Sequence, residues 1–310
     1  MGTIKKSIIG FIGLFLFSFS VLAQNRANVI KIEVERNKDQ EPTFYAINNG
    51  YMPYTVSVEF YDVRNSLPPN PNPIVKTVKP GRTQLVRLKK SGLSQGGIGF
   101  GYRYSYNVGC LDTEPDDIEY LIPIAEGQQT EIGDLYYIGE LINEEEPDGF
   151  YSLSFSSTNG ADVYAARSGT VVDVVDEYDD SQLDKYFTSE YNYVRVVHDD
   201  CTFANYRHLK KGSITVRIGD KITAGEPLAK VVPRGGSEDP KFRLMITYRN
   251  ESYEKGTDTE YWKYVTPVFR SGNEESVMLK PGQSYIAIHP DDVITQEMGF
   301  FERRRWKRRN

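Results

Sequence analysis

Val216-Arg217-Ile218-Gly219-Asp220-Lys221-Ile222-Thr223-Ala224-Gly225-Glu226-Pro227-Leu228 is the stretch on which the fold turns. Glycine adopts the backbone of tight corners at no steric cost, and Gly219-Asp220 and Ala224-Gly225 stand where two corners are needed. Val216, Ile218 and Ile222 are spaced to face a core from the arms of this hairpin. A second stretch with glycine at its corners, Gly160-Ala161-Asp162-Val163-Tyr164-Ala165-Ala166-Arg167-Ser168-Gly169-Thr170-Val171-Val172, lies upstream. Carriers of biotin or lipoate build similar hairpins, but they present a lysine at the turn beside a methionine. No Met-Lys pair occurs in this sequence, so the carrier class is set aside.

Outward from these hairpins the chain reads as strand after strand. Val163 to Ala165, Thr170 to Val175, Tyr193 to Val197, Ile214 to Ile218 and Leu228 to Val232 are short apolar or alternating runs. No segment shows sustained helical periodicity until Pro290 to Glu302, where Pro at the start, Asp291 and Asp292 in the first turn and basic residues at the end predict one short helix. In the first third, Ile30, Ile32 and Val34 alternate with charged residues, and Val56, Val58 and Phe60 alternate with Ser57, Glu59 and Tyr61. Leu85 to Leu88 and Tyr102 to Tyr106 add two more strands, with turns at Asn48-Asn49-Gly50 and Lys79-Pro80-Gly81. Gly96, Gly97, Gly99 and Gly101 lack the spacing of a phosphate loop and precede no helix, so they read as a loop or bulge. The fold class is all-β: an immunoglobulin-like sandwich over 24–110, an acidic linker over 111–119, a second β-sheet domain over 120–285 and a basic tail over 286–310.

The N-terminus has the form of an export signal. Lys5 and Lys6 precede the apolar run Ile8 to Val21, and Val21-Leu22-Ala23 is a small-residue cleavage site before Gln24. Cleavage after Ala23 releases a periplasmic or secreted chain, and no cysteine follows to carry a lipid. Without this signal and the cations Arg303, Arg304, Arg305, Lys307, Arg308 and Arg309, the body holds 29 basic against 43 acidic residues. Such a body argues against nucleic acid as a partner, while the tail suits an anionic surface. The two cysteines, Cys110 and Cys201, are too few for a cysteine metal site. They can form a disulfide or stay as two half-buried thiols, and the thiol reading is the one we favour.

Five segments, in order, resemble the lysostaphin/LytM-type zinc peptidases, the duplicated hybrid motif domain. Tyr120-Leu121-Ile122-Pro123 is similar to the "YRLPF" opening of members that carry an N-terminal β-sandwich, and Gly160 to Val172 to "GTPVYAARSGVVV". Tyr193 to Asp200 resembles "YVVIRHGDG", Tyr206-Arg207-His208-Leu209 resembles "YAHL", and Val216 to Leu228 resembles "VKVGDKVKAGQPIG". The resemblance implies a zinc held by two His and one Asp with an open position for water, and two further histidines serving the reaction. Carried onto this sequence, the first zinc His becomes Asn143 and the Asp becomes Ser154. In the strand matching "HLHFE", Arg243 replaces a catalytic His and Met245 the second zinc His, leaving His208 alone. Neutral amide and hydroxyl oxygens and a thioether are poor zinc donors, and a guanidinium repels a cation.

The resemblance therefore implies an inactive relative of a cell-wall endopeptidase with no metal or other cofactor. Its vestigial groove is expected to hold Asn143, Ser154, Tyr206, His208, Arg243 and Met245, with Tyr151, Tyr164 and Tyr248 around it. We read His208 as a hydrogen-bonded histidine inherited with the fold. Arg243 is either a carboxylate or phosphate clamp or one half of an ion pair. Expected partners are peptidoglycan or a cell-wall hydrolase that the chain regulates. The alternatives are an active peptidase with a rearranged metal site drawing on His208, His198, His289 or acidic residues, and a purely structural envelope protein.

Overall fold

The computed structural model describes residues 29–92, 96–133, 146–147, 149–179, 190–233, 240–250, 261–272 and 276–308. The stretch read as an export signal and Asn143 lie outside them.

The first domain is a sandwich of two three-stranded antiparallel sheets. One sheet orders β1 (Ile30–Arg36), β2 (Pro42–Asn48) and β5 (Gly81–Arg87). The other orders β4 (Ile74–Val78), β3 (Tyr54–Arg64) and β6 (Gly99–Val108). Alternation places Ile30, Phe44, Val56, Val58 and Phe60 inside, and the Phe44 ring meets the Phe60 ring edge-on at 4.8 Å across the sheets. Of the glycine-rich stretch, Gly99 and Gly101 open β6, opposite a register shift between Tyr61 and Arg64, while Gly96 and Gly97 lie in the loop before it. The Tyr61 ring covers Gly101 so closely that a Cβ there would lie 2.1 Å from it.

The second domain is built on a nine-stranded sheet. Its order is β14 (Lys221–Ile222), β11 (Gly169–Val175), β12 (Tyr193–Val197), β13 (Phe203–Arg207), β16 (Lys241–Arg249), β9 (Leu153–Ser156), β8 (Gln129–Gly133) and β19 (Ser284–Ile286), with β17 (Trp262–Tyr264) beside the far end of β16. Two small pairs flank it: β10 (Asp162–Tyr164) with β15 (Pro227–Lys230), and β7 (Glu119–Leu121) parallel to β18 (Val268–Arg270). The core lies on one face, where Val194, Val196, Ala204, Tyr206, Phe242, Leu244 and Ile246 are fully buried. The deciding hairpin folds nearly as read: Gly219 and Gly225 take positive φ and Ile222 is buried. Ile218, expected in the core, is 37% exposed: residues 213–217 lie outside any strand and Ile218 itself sits in the turn with Gly219.

The domains are joined by more than a linker. Cys110 and Cys201 form a disulfide, which overturns the thiol reading. Tyr51 packs on Gly219, Lys79 Nζ donates to the Asp199 carbonyl at 3.3 Å, and Tyr261 donates its hydroxyl to the Val108 carbonyl. The acidic linker is pinned by Asp116, whose carboxylate meets Arg167, and by Glu119, which pairs with Arg270. The segment after residue 285 is likewise not a free tail. Ala287, Val293 and Thr295 are buried, and the one expected helix is two, α1 (Asp291–Ile294) and α2 (Phe300–Trp306). The chain leaves the helix between them because Glu297 turns inward to Arg167. No helix among the described residues is long and apolar enough to cross a membrane.

Candidate functional site

A strand points successive side chains to opposite faces, and directly paired residues share a face. The register therefore assigns the sheet's outer face. Ser154 pairs with Arg243, Arg243 with Arg207, and Arg207 with Tyr193. One step along, Met245 pairs with Asn205, Asn205 with Arg195, and Arg195 with Asp173. Three arginines on three adjoining strands thus project from the face opposite the core. All three are half-buried.

Polar contacts organise this face. Arg195 Nε donates to Asn205 Oδ1 at 2.7 Å, and Asn205 Nδ2 in turn reaches the Met245 carbonyl at 3.4 Å. The Tyr193 hydroxyl donates to Asp173 Oδ2 at 2.8 Å; burial, then this carboxylate, push the phenol up to about 12. The Arg207 guanidinium lies over the Tyr191 ring, 5.2 Å from its centroid. The His208 ring meets the same tyrosine edge-on at 5.2 Å. Desolvation holds the Arg207 pKa below the ordinary guanidinium range, and the nearby charge of Arg195 adds to this. Phe150 and Tyr264 meet edge-on with centroids 5.1 Å apart at the β16–β17 side.

Of the expected groove residues, the structure places Ser154, Arg243 and Met245 on this outer face and His208 at its edge. Tyr206 is placed elsewhere. It is fully buried under the sheet, where its hydroxyl accepts the Ala166 N–H at 2.8 Å. His208 has φ +65°, so the chain turns over between the two, and residues that would share a face of a regular strand end on opposite sides. Tyr151 and Tyr164 also serve the scaffold: the first donates to the Leu279 carbonyl at 2.9 Å, and the second packs on His289. The sequence reading missed Tyr191, Tyr193, Arg195, Asn205 and Arg207. The signal was present in the alternation Tyr193-Val194-Arg195-Val196 and Asn205-Tyr206-Arg207, which assigns the polar members to the face away from the core.

A zinc site needs three or four imidazole, carboxylate or thiolate donors converging on one point. Among the described residues no group of three His, Cys, Asp or Glu is placed to hold a metal ion. The outer face offers His208 and Asp173, with Asp173 engaged by Tyr193, amid three guanidiniums. The donor set does not fit a zinc ion. A separate cavity of about 300 Å³ opens between β11, β14 and α2, lined in part by Lys221, Glu297 and Trp306, and shares no residue with this face.

The second domain is thus an antiparallel sheet with glycine-cornered hairpins, one face packed on the core and the other polar. Residues 149–255, within the second domain, match the family model described as Peptidase family M23. Among solved structures, the chain is similar to the catalytic domain of lysostaphin from Staphylococcus simulans, at 17% identity over 46% of this chain and 88% of that one, with a TM-score of 0.28. It is similar to a putative glycyl-glycine endopeptidase lytM from Ruminococcus gnavus at 16% identity over 44% and 55%, TM-score 0.29. It is also similar to a chain of the SpoIIQ-SpoIIIAH pore forming complex, at 17% over 43% and 85%, TM-score 0.28. No curated protein matches the chain in sequence.

Proposed function

We propose that this chain is an exported, non-catalytic relative of the cell-wall endopeptidases, and that its M23 domain binds peptidoglycan peptides on the outer face of the sheet. The observation that carries the reading is the make-up of that face. Where the family resemblance assigns metal and proton-transfer groups, Ser154, Arg243 and Met245 stand in register with Arg207 and Asn205. Fixed cations there oppose a divalent ion and favour an anionic or polar ligand. Export is supported by the signal-like N-terminus and by the Cys110–Cys201 disulfide, since such bonds persist in oxidising compartments.

The test uses the purified mature chain. Elemental analysis is expected to find no stoichiometric zinc, and isolated peptidoglycan is expected to stay uncleaved but to carry the chain down on sedimentation. Arg243→Ala should weaken that sedimentation. One tightly held zinc per chain, with cleavage, would establish the active-peptidase alternative. Sedimentation absent from the wild type would leave a structural envelope role.

A further inference from the structure

Arg207 and Arg243 stand directly opposite one another on β13 and β16, and like charges in that position destabilise a sheet. Arg195, one step along on β12, adds a third cation at the diagonal. Among the described residues, Arg207 has the Tyr191 ring against it and no carboxylate within ion-pair distance. Elsewhere the same molecule handles a buried arginine differently: Arg167 meets Asp116, Asp200 and Glu297 at 2.7–2.9 Å. A desolvated guanidinium without a counter-charge among the described residues, facing a second one, has the character of an anion site.

We propose that Arg207, flanked by Arg243 and Arg195, binds the free C-terminal carboxylate of a peptide laid along the outer face. This rests on the groove-binding reading above and names the ligand group it would take. A carboxylate fits for three reasons. Guanidinium and carboxylate are both planar and form paired hydrogen bonds. The site is shallow and half-buried, with the Tyr191 and Tyr193 rings 5.9 Å apart to pack on the adjoining peptide residue. Asn205, buried and engaged at both ends, accepts from Arg195 Nε and so holds that second cation in place beside Arg207. His208 lies behind Tyr191 and acts as a positioning residue for that ring.

The test is calorimetric titration of the full mature chain with acetyl-D-alanyl-D-alanine and with its C-terminal amide. The free acid is expected to bind at least about tenfold more tightly than the amide, a difference of about 1.4 kcal/mol. Arg207→Gln should abolish that discrimination, and its unfolding midpoint, measured alongside, should match the wild type. Inorganic phosphate should compete only weakly; competition equal to that of acetate would replace the carboxylate assignment with a general anion site and overturn it. Equal binding of acid and amide, or a discrimination that survives Arg207→Gln, also overturns the inference. If peptidoglycan still sediments the Arg207→Gln chain in that case, the groove-binding reading stands without the carboxylate site. If the wild type fails to sediment, both fall.

Discussion

Arg167 and Arg207 are both drawn out of water in the same domain, and the molecule treats them oppositely. Arg167 is fully buried at the junction with the linker and the C-terminal segment. Its Nη1 donates to Asp200 at 2.7 Å and to the Tyr120 hydroxyl at 3.1 Å, its Nη2 to Asp116 and Glu297 at 2.9 and 2.7 Å. Burial opposes its charge, but the Glu297 hydrogen bond and the Asp200 and Glu297 charges prevail, so its pKa lies above the ordinary range. In Arg207 desolvation prevails and the pKa falls. A compensated buried cation is scaffold. An uncompensated one is kept at a cost in stability, which is the mark of a surface reserved for something else.

The comparison makes its largest prediction at Arg167. Arg167→Met leaves Asp200, whose side chain is 3% exposed, without its counter-ion and should cost about 3–5 kcal/mol of unfolding free energy. Arg207→Met should change stability by less than about 0.5 kcal/mol or raise it, since it removes a charge that burial already disfavours. Urea denaturation of both variants decides the matter. Equal losses at the two positions would erase the distinction between scaffold and site.

A second prediction concerns the histidine packed beside the Arg167 network. His198 donates Nδ1–H to the Ser168 carbonyl at 2.7 Å and is buried, with Nε2 unpartnered among the described residues. Burial, then the charge of Arg167, lower its pKa to about 4. The unfolded chain takes up this proton near the ordinary histidine value of about 6.5, before the folded one does. The contribution is therefore complete above that value and is lost as pH falls toward about 4. It amounts to something on the order of 3 kcal/mol. Stability measured across this window should decline less steeply in His198→Asn than in the wild type. Parallel curves would remove the histidine from the account.

Much of this architecture was legible because it rests on local periodicity. β12 spans Tyr193–Val197 as read, and the turns at Gly219 and Gly225 follow from glycine's conformational freedom. What the sequence hid depends on pairing between distant segments. Arg207 and Arg243 gain their meaning only from the β13–β16 register, and two cysteines alone do not declare that they meet. Tyr206 was misplaced for a different reason: its neighbour His208 adopts a left-handed backbone, which breaks the parity that a motif reading assumes. The C-terminal segment misled through composition, since its basic residues lie beyond a stretch whose Glu297 and Val293 are anchored in the fold.

A more modest loss than at Arg167 or His198 is expected where the two domains touch away from either arginine. Gly219 has φ +97°, and a Cβ there would lie 2.5 Å from the Tyr51 ring of the first domain. Gly282 has φ +74° with open space around it. Gly282→Ala should cost about 1 kcal/mol from backbone strain alone. Gly219→Ala adds displacement of the Tyr51 ring and should cost about 1 kcal/mol more. The excess measures how far the Tyr51 ring resists displacement from the junction. Because this junction belongs to the scaffold and the outer face of the sheet does not depend on it, the Gly219→Ala chain should still sediment with peptidoglycan as the wild type does. Loss of sedimentation without loss of fold would show that the first domain takes part in binding, and the contrast between scaffold and site would then have to be redrawn to include it.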